Sequence, residues 1–201
     1  MSVVAVRSVQ SAAQHLRAGD LVAYPTETSY GLGADPTTKK AVEKVFSIKG
    51  RAKAKPLSLI AASFADAERY VRFSPKALTI AKKYWPGPLT LILPAKSKRT
   101  AGRLGSRDGS LAIRVSSGKQ ATTIAALAGG VITATSANIS SGKDSYTERA
   151  VVEAFAPLDE TIFFLESGTL PRVLPSTIVR VLDTTCTVLR QGSVRILSSL
   201  L

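Results

Sequence analysis

Short apolar runs recur along this chain, separated by polar stretches rich in Gly, Pro, Ser and Thr. Residues 8–18 read as an amphipathic helix, closed by a turn at Gly19-Asp20, and Leu21 to Tyr24 follow as a short buried strand. Thr37 or Thr38 begins a helix over 39–48, where Ala41, Val42, Val45, Phe46 and Ile48 fall at helical spacing. Leu57 to Ala61 predicts a strand. Ser74-Pro75 opens another helix, with proline at its first position. Ala77, Leu78, Ala81, Tyr84 and Trp85 share one face of it, and Pro86-Gly87-Pro88 stops it. Leu89 to Leu93 and Ser110 to Val115 are strands. A helix near 119–128 ends at Gly129-Gly130, before a strand from Val131 to Thr135. Thr147 starts a helix to about 155, and strands follow near 161–165, 177–182 and 185–190. Strand and helix alternate through most of the chain, and the tail is mostly strand. The pattern predicts one α/β domain over 1–201, a twisted mixed parallel/antiparallel sheet flanked by helices. Residues 95–109, rich in Lys, Arg, Gly and Ser, read as a mobile loop.

Composition narrows the chemistry. The chain has 201 residues, 45% of them apolar and 20% charged, as in an ordinary folded domain. No apolar run approaches the roughly 18–20 residues that span a bilayer. Residues 1–10 lack a signal-peptide core, so the expected location is the cytoplasm, with no membrane partner. There is one cysteine and one histidine. An intramolecular disulfide and a Cys/His zinc cluster are therefore excluded, and no metal ligand set is expected. His15 lies in the first helix and reads as a packing or surface residue. Cys186 falls in a strand and reads as core.

The formal net charge is +13, which favours an anionic partner, either nucleotide or RNA. The charge is clustered. Residues 39–55 hold Lys39, Lys40, Lys44, Lys49, Arg51, Lys53 and Lys55 against Glu43 alone, and residues 96–107 hold five cations and no acid. Solvated basic faces explain most of these. Lys49 and Arg51 stand apart, because they end a helix and the run continues to a strand start.

Two further segments offer directional groups. Pro25-Thr26-Glu27-Thr28-Ser29-Tyr30-Gly31-Leu32-Gly33 follows a buried strand with a dense set of hydroxyls, and its glycines would let backbone approach a ligand. It is neither a phosphate-binding P-loop nor a complete dinucleotide fingerprint. Ser136 and Asn138 follow another strand, where a turn or helix cap is the plain alternative. Arg114, inside Leu111-Ala112-Ile113-Arg114-Val115, must face solvent at a sheet edge or have an anionic partner.

Together these strings resemble the YrdC-like family of threonylcarbamoyl-AMP synthases, in its short single-domain form. The match runs in order over about 20–192. It takes in the 25–33 loop, Lys49-Gly50-Arg51, Lys55-Pro56-Leu57 and Trp85-Pro86-Gly87-Pro88-Leu89-Thr90. It continues with Ala112 to Val115, Thr135-Ser136-Ala137-Asn138, Pro175-Ser176-Thr177-Ile178 and Arg190-Gln191-Gly192. Ala52 departs from the proline common after the arginine, and Leu57-Ser58-Leu59-Ile60 lacks the histidine of longer relatives.

The resemblance implies formation of threonylcarbamoyl-AMP and pyrophosphate from L-threonine, bicarbonate and ATP. Mg²⁺ would be carried by the ATP phosphates. Other proteins would then transfer the threonylcarbamoyl group to tRNAs reading ANN codons. Lys49, Arg51, Ser136 and Asn138 are the implied catalytic residues. Thr135, Ser176 and Arg190 join them in binding ATP, and Thr26, Tyr30 and Arg114 bind threonine. Direct tRNA or RNA binding stays open. Two rivals remain: a non-catalytic RNA-binding maturation module, and a carbamoyl-adenylate former fed by carbamoyl phosphate.

Overall fold

The structure, a computed structural model, describes residues 2–50, 56–139, 142–182 and 185–200. In chain order they form β1 (Ser2–Val6), α1 (Val9–Ala18), β2 (Leu21–Pro25), β3 (Tyr30–Gly33), α2 (Lys39–Ile48) and β4 (Ser58–Ala61). Next come α3 (Phe64–Glu68), α4 (Pro75–Tyr84), β5 (Leu89–Pro94), α5 (Lys98–Arg103), β6 (Ser110–Val115) and α6 (Lys119–Leu127). The chain ends with β7 (Val131–Ser136), α7 (Glu148–Phe155), β8 (Thr161–Leu165), β9 (Thr177–Leu182), β10 (Thr185–Arg190) and a 3₁₀ turn at Ser198–Leu200.

Local chemistry fixes the helix ends. Ser8 accepts a hydrogen bond from the Ser11 amide, and Gly19 closes α1 at φ 87°, a conformation that glycine adopts freely. Ser74 caps α4 ahead of Pro75, and Thr147 accepts from the Ala150 amide at the start of α7.

The strands form one mixed sheet in the order β1-β8-β2-β3-β7-β4-β6-β5-β9-β10. β8 runs parallel to β1 and β2, β4 to β6, and β5 to β9. The pairs β2/β3, β3/β7, β4/β7, β5/β6 and β9/β10 are antiparallel. The expected mixed α/β sheet is therefore the architecture observed. Among the described residues, no helix is long and apolar enough to cross a membrane.

The two faces of the sheet are covered unequally. Leu59, Leu89, Leu91, Ile113 and Val179 point to one face, where α2, α3, α4, α5 and α7 bury their apolar residues. Each large side chain buried there stabilises the fold by about 1.5–3 kcal/mol. On the other face Val22, Tyr24, Ile60 and Ile132 pack under α1 and α6. That cover ends partway across. Strand alternation puts Ser58, Thr90, Arg114, Ala134 and Ile178 on the remaining area of this second face, where they line an open cavity.

Four elements differ from the sequence reading. β1 is an additional edge strand. Tyr30–Gly33 pairs with β2 and β7 as strand rather than loop. α3 is a further short helix. Residues 95–109 are not a loop throughout: Ser97 caps α5, accepting from the Thr100 amide. Ala101 and Leu104 are buried, and the Leu104 carbonyl accepts from the Leu57 amide. Two apolar anchors hold this basic segment, too few to give a helical stripe. In α4 the buried face is Ala77, Ile80 and Ala81, rotated from the one expected, with Leu78 only half-buried.

Candidate active site

The open part of the second sheet face is a cavity of about 370 Å³. Lys49, Thr135, Ser136, Asn138, Ser176, Arg190, Thr26, Tyr30 and Arg114 all line it. They come from seven places in the chain, and the topology brings them together. Arg51, and Lys53 and Lys55 of the same run, lie outside the described residues.

Lys49 caps the C-terminus of α2 and is 3% exposed. Its Nζ donates to the Ser136 carbonyl at 2.8 Å, to the Asn138 carbonyl at 2.6 Å and to Asn138 Oδ1, with Ser136 Oγ at 3.3 Å. Ser136 Oγ donates to Asn138 Oδ1 at 2.8 Å, and Asn138 Nδ2 donates to the Gly142 carbonyl at 2.7 Å. The ammonium is thus the hub of the Ser136–Asn138 turn, where carbonyl, hydroxyl and amide oxygens meet its charge. The turn is tied to β3 on its other side: the Ala137 amide donates to the Tyr30 carbonyl, and Ser145 Oγ donates to the Ala137 carbonyl.

Arg114 is not at a sheet edge, because β6 lies between β4 and β5. Its anionic partner is Glu27, with Nε 3.3 Å from Oε1, and the two side chains are 11% and 12% exposed. The two atoms are in ionic contact without hydrogen-bond alignment. Ser116 Oγ donates to Glu27 Oε2. Thr26 holds the turn that carries Glu27: its hydroxyl donates to the Ser29 carbonyl at 2.7 Å and accepts from the Thr28 and Ser29 amides. The Tyr30 hydroxyl donates to the Gly168 carbonyl at 2.9 Å. Burial, followed by the charge of Glu148, pushes that phenol up to about 12.

At the far wall, Thr90 and Ser176 share a hydrogen bond of 2.9 Å between hydroxyls. Arg190 donates from Nε and Nη2 to the Ser176 carbonyl at 3.0 and 2.8 Å. A bulge in β10 aims this arginine. Val188 lies opposite Val179, but Arg190 lies opposite Ile178, so it turns from the covered face to the cavity. Burial, then the charge of Arg114, holds the Arg190 guanidinium below its usual pKa, with Asp144 opposing. Gly192 packs against this wall: a Cβ there would sit 2.0 Å from the Pro175 carbonyl oxygen.

Comparison with known proteins decides the family. The Sua5/YciO/YrdC sequence model, described as "Telomere recombination", matches residues 14–192. The chain belongs to this family. It is 37% identical over 169 residues to the threonylcarbamoyl-AMP synthase of Halorhodospira halophila, covering 83% of this chain and 87% of that one. The crystal structure of Pyrococcus abyssi Sua5 complexed with L-threonine superposes with a TM-score of 0.84 at 34% identity. That likeness covers 96% of this chain but 58% of Sua5, so this chain spans little more than half of that protein's length. Escherichia coli YciO, at 21% identity and a TM-score of 0.81, shares the fold over 94% of its own chain.

Within this Sua5/YciO/YrdC cavity, sequence reasoning passed over several lining residues. Thr90 and Ser58 were each legible as the polar partner in an alternating strand. Asp144, a carboxylate of the cavity wall, carries no signal beyond its place after the Ser136–Asn138 turn. Gly33 also needs a different account. A Cβ there would meet Tyr24 Cε1 at 2.6 Å, so this glycine admits the buried Tyr24 ring rather than a ligand. Gly31 does line the cavity.

Proposed function

We propose that this chain is an L-threonylcarbamoyladenylate synthase, making threonylcarbamoyl-AMP and pyrophosphate from L-threonine, bicarbonate and ATP. The observation that carries the reading is the meeting of Lys49, Arg114 and Arg190 with the Ser136–Asn138 turn around one cavity. Such a site suits a polyphosphate and an amino-acid carboxylate together. The name of the Halorhodospira halophila relative and the threonine complex of Pyrococcus abyssi Sua5 support the same substrates.

The chemistry follows from these groups. The carboxylate of threonine binds Arg114, beside Thr26 and Tyr30. Its deprotonated amine attacks the carbon of bicarbonate, and water leaves to give a carbamate. A carbamate oxygen then attacks the α-phosphorus of ATP. The bond from that phosphorus to the β-phosphate's bridging oxygen breaks, and its electron pair leaves with pyrophosphate. Positioning and charge neutralisation carry such a step, and no protein nucleophile is required.

Ser136 and Asn138 hold the α-phosphate and carbamoyl region, with Thr135 beside them. Lys49 supports them from beneath with its charge, and Arg51 neutralises the departing pyrophosphate. Ser176 and Arg190 take nucleotide phosphate or ribose. Mg²⁺ arrives on the phosphates of ATP and takes few protein ligands. The cavity wall fits that arrangement, offering among the described residues one carboxylate, Asp144, beside three cations. The product passes in the cytoplasm to proteins that transfer threonylcarbamoyl to tRNA, and the basic surface is open to RNA directly.

The test is an assay with ATP, Mg²⁺, bicarbonate and each amino acid in turn, following pyrophosphate and the adenylate. Threonine-dependent release of both is the expected result. Turnover of carbamoyl phosphate without threonine would replace the reading with a carbamoyl-adenylate former. RNA binding with neither activity would leave a maturation module.

A further inference from the structure

The partner of Arg114 is a carboxylate, that of Glu27. Lys49 is met by carbonyl, hydroxyl and amide oxygens, and Arg190 by the Ser176 carbonyl and hydroxyl. Glu27 projects from the tight turn between β2 and β3, and Thr26 holds that turn through five local hydrogen bonds. Its carboxylate is fixed at both ends. Oε2 accepts from Ser116 Oγ, which itself accepts from the Gly118 amide at 3.1 Å. Oε1 lies 3.3 Å from Arg114 Nε. There is little free space around this arrangement, since a Cβ on Gly118 would lie 3.1 Å from the Glu27 amide nitrogen.

The ion pair runs through Nε, at the stem of the guanidinium. Arg114 also lines the cavity. A fork held in one plane can take a carboxylate through two parallel N–H···O bonds, and such preorganisation lowers the ordering cost of binding. The fork also lies within the electrostatic reach of Arg190. A fixed anion behind Arg114 offsets that repulsion and keeps the guanidinium in place.

We infer that Glu27 is the positioning residue for Arg114. Through Nε it sets the plane and charge of the fork that binds the carboxylate of the amino-acid substrate. The inference rests on the proposed assignment of threonine's carboxylate to Arg114, and it adds a residue that does not itself touch substrate.

The experiment compares Glu27→Gln and Ser116→Ala with the unaltered protein. Steady-state kinetics would be measured with threonine and ATP, and threonine binding by calorimetry. Gln keeps the shape of Glu27 and its acceptor oxygen but removes the charge. E27Q is expected to raise the KM and the Kd for threonine by about 10-fold or more, with the KM for ATP changed far less. S116A is expected to give a smaller shift of the same kind. A double-mutant cycle with Arg114→Lys should be non-additive, because the two residues act through one contact. Threonine amide, which lacks the carboxylate, should bind both the E27Q and unaltered proteins equally. Equal rises in both KM values, or an E27Q loss that persists with the amide, would overturn the positioning role. If E27Q does not fold, S116A decides by the same split between threonine and ATP. Failure of the proposed function is distinguishable, because the unaltered protein would then bind no threonine at all.

Discussion

Lys49 shows how one side chain can carry two duties. A helix-terminal lysine can simply complement the helix dipole from solvent, but this one is buried and surrounded by the oxygens of Ser136 and Asn138. Its removal would take the lysine donor from the Asn138 carbonyl and one of their donors from Asn138 Oδ1 and the Ser136 carbonyl, a cost of about 1–3 kcal/mol. The same removal takes positive charge from beneath the proposed site of the α-phosphate. Lys49→Ala is therefore expected to fold, to unfold at lower denaturant, and to lose kcat by about 100-fold or more. Denaturant titration alongside initial rates checks both parts. A variant with near-normal kcat would remove Lys49 from the reaction and leave it a structural residue of the turn.

The segment from α5 to β6 shows the same economy in a connection between elements. Asp108 accepts from the Ser110 amide and hydroxyl and from Ser106 Oγ, and it pairs with Arg180 of β9 at 2.9 Å. The Ser110 hydroxyl, then the other hydrogen bonds and Arg180, hold its carboxyl well below the usual range against a smaller burial effect. The folded pKa is depressed, so the stabilisation is fully present above the unfolded value of about 4. It fades as pH falls through that value toward the folded one, because the unfolded state takes up the proton first. Melting curves from pH 5 down to pH 2 should fall less steeply for Asp108→Asn than for the unaltered protein. Parallel curves would mean that the half-exposed carboxylate contributes too little to register. This connection also marks where the sequence was hard to read. The stripe Ala41, Val42, Val45, Phe46 and Ile48 of α2 is wholly buried, as its spacing predicts. In α5, Ala101 and Leu104 are anchors without a stripe, and the basic residues around them hide the helix. β3 contains two glycines and reads as part of a binding loop, although its partners β2 and β7 make it a strand. In the cavity, residue types and the strands that carry them were legible. The pairings Glu27–Arg114 and Lys49–Asn138 were not, since each joins segments more than 80 residues apart and depends on the strand order.

For the molecule as a whole, the question is what its net charge of +13 does. Ion pairs such as Lys44 with Glu160 at 2.7 Å and Arg149 with Glu153 at 2.6 Å already cancel within that sum. The net excess of cations gives a positive field around a cavity whose described lining holds Lys49, Arg114, Arg190 and the carboxylate of Asp144. Such a field speeds the approach of a polyanion and leaves a zwitterion nearly unaffected. ATP and threonine differ in just this way, so the two substrates of the proposed reaction provide an internal control. Raising salt from about 50 to about 500 mM shortens the screening length from roughly 14 to roughly 4 Å. The value of kcat/KM for ATP is then expected to fall by about 10-fold or more, while that for threonine changes little. The Glu27–Arg114 ion pair at the cavity is buried and is screened less than the surface, so kcat at saturation should hold. A fall of the same size for both substrates would assign the salt effect to damage at the site. No fall for either would leave the basic faces as solubilising surface, with ATP capture due to the cavity alone.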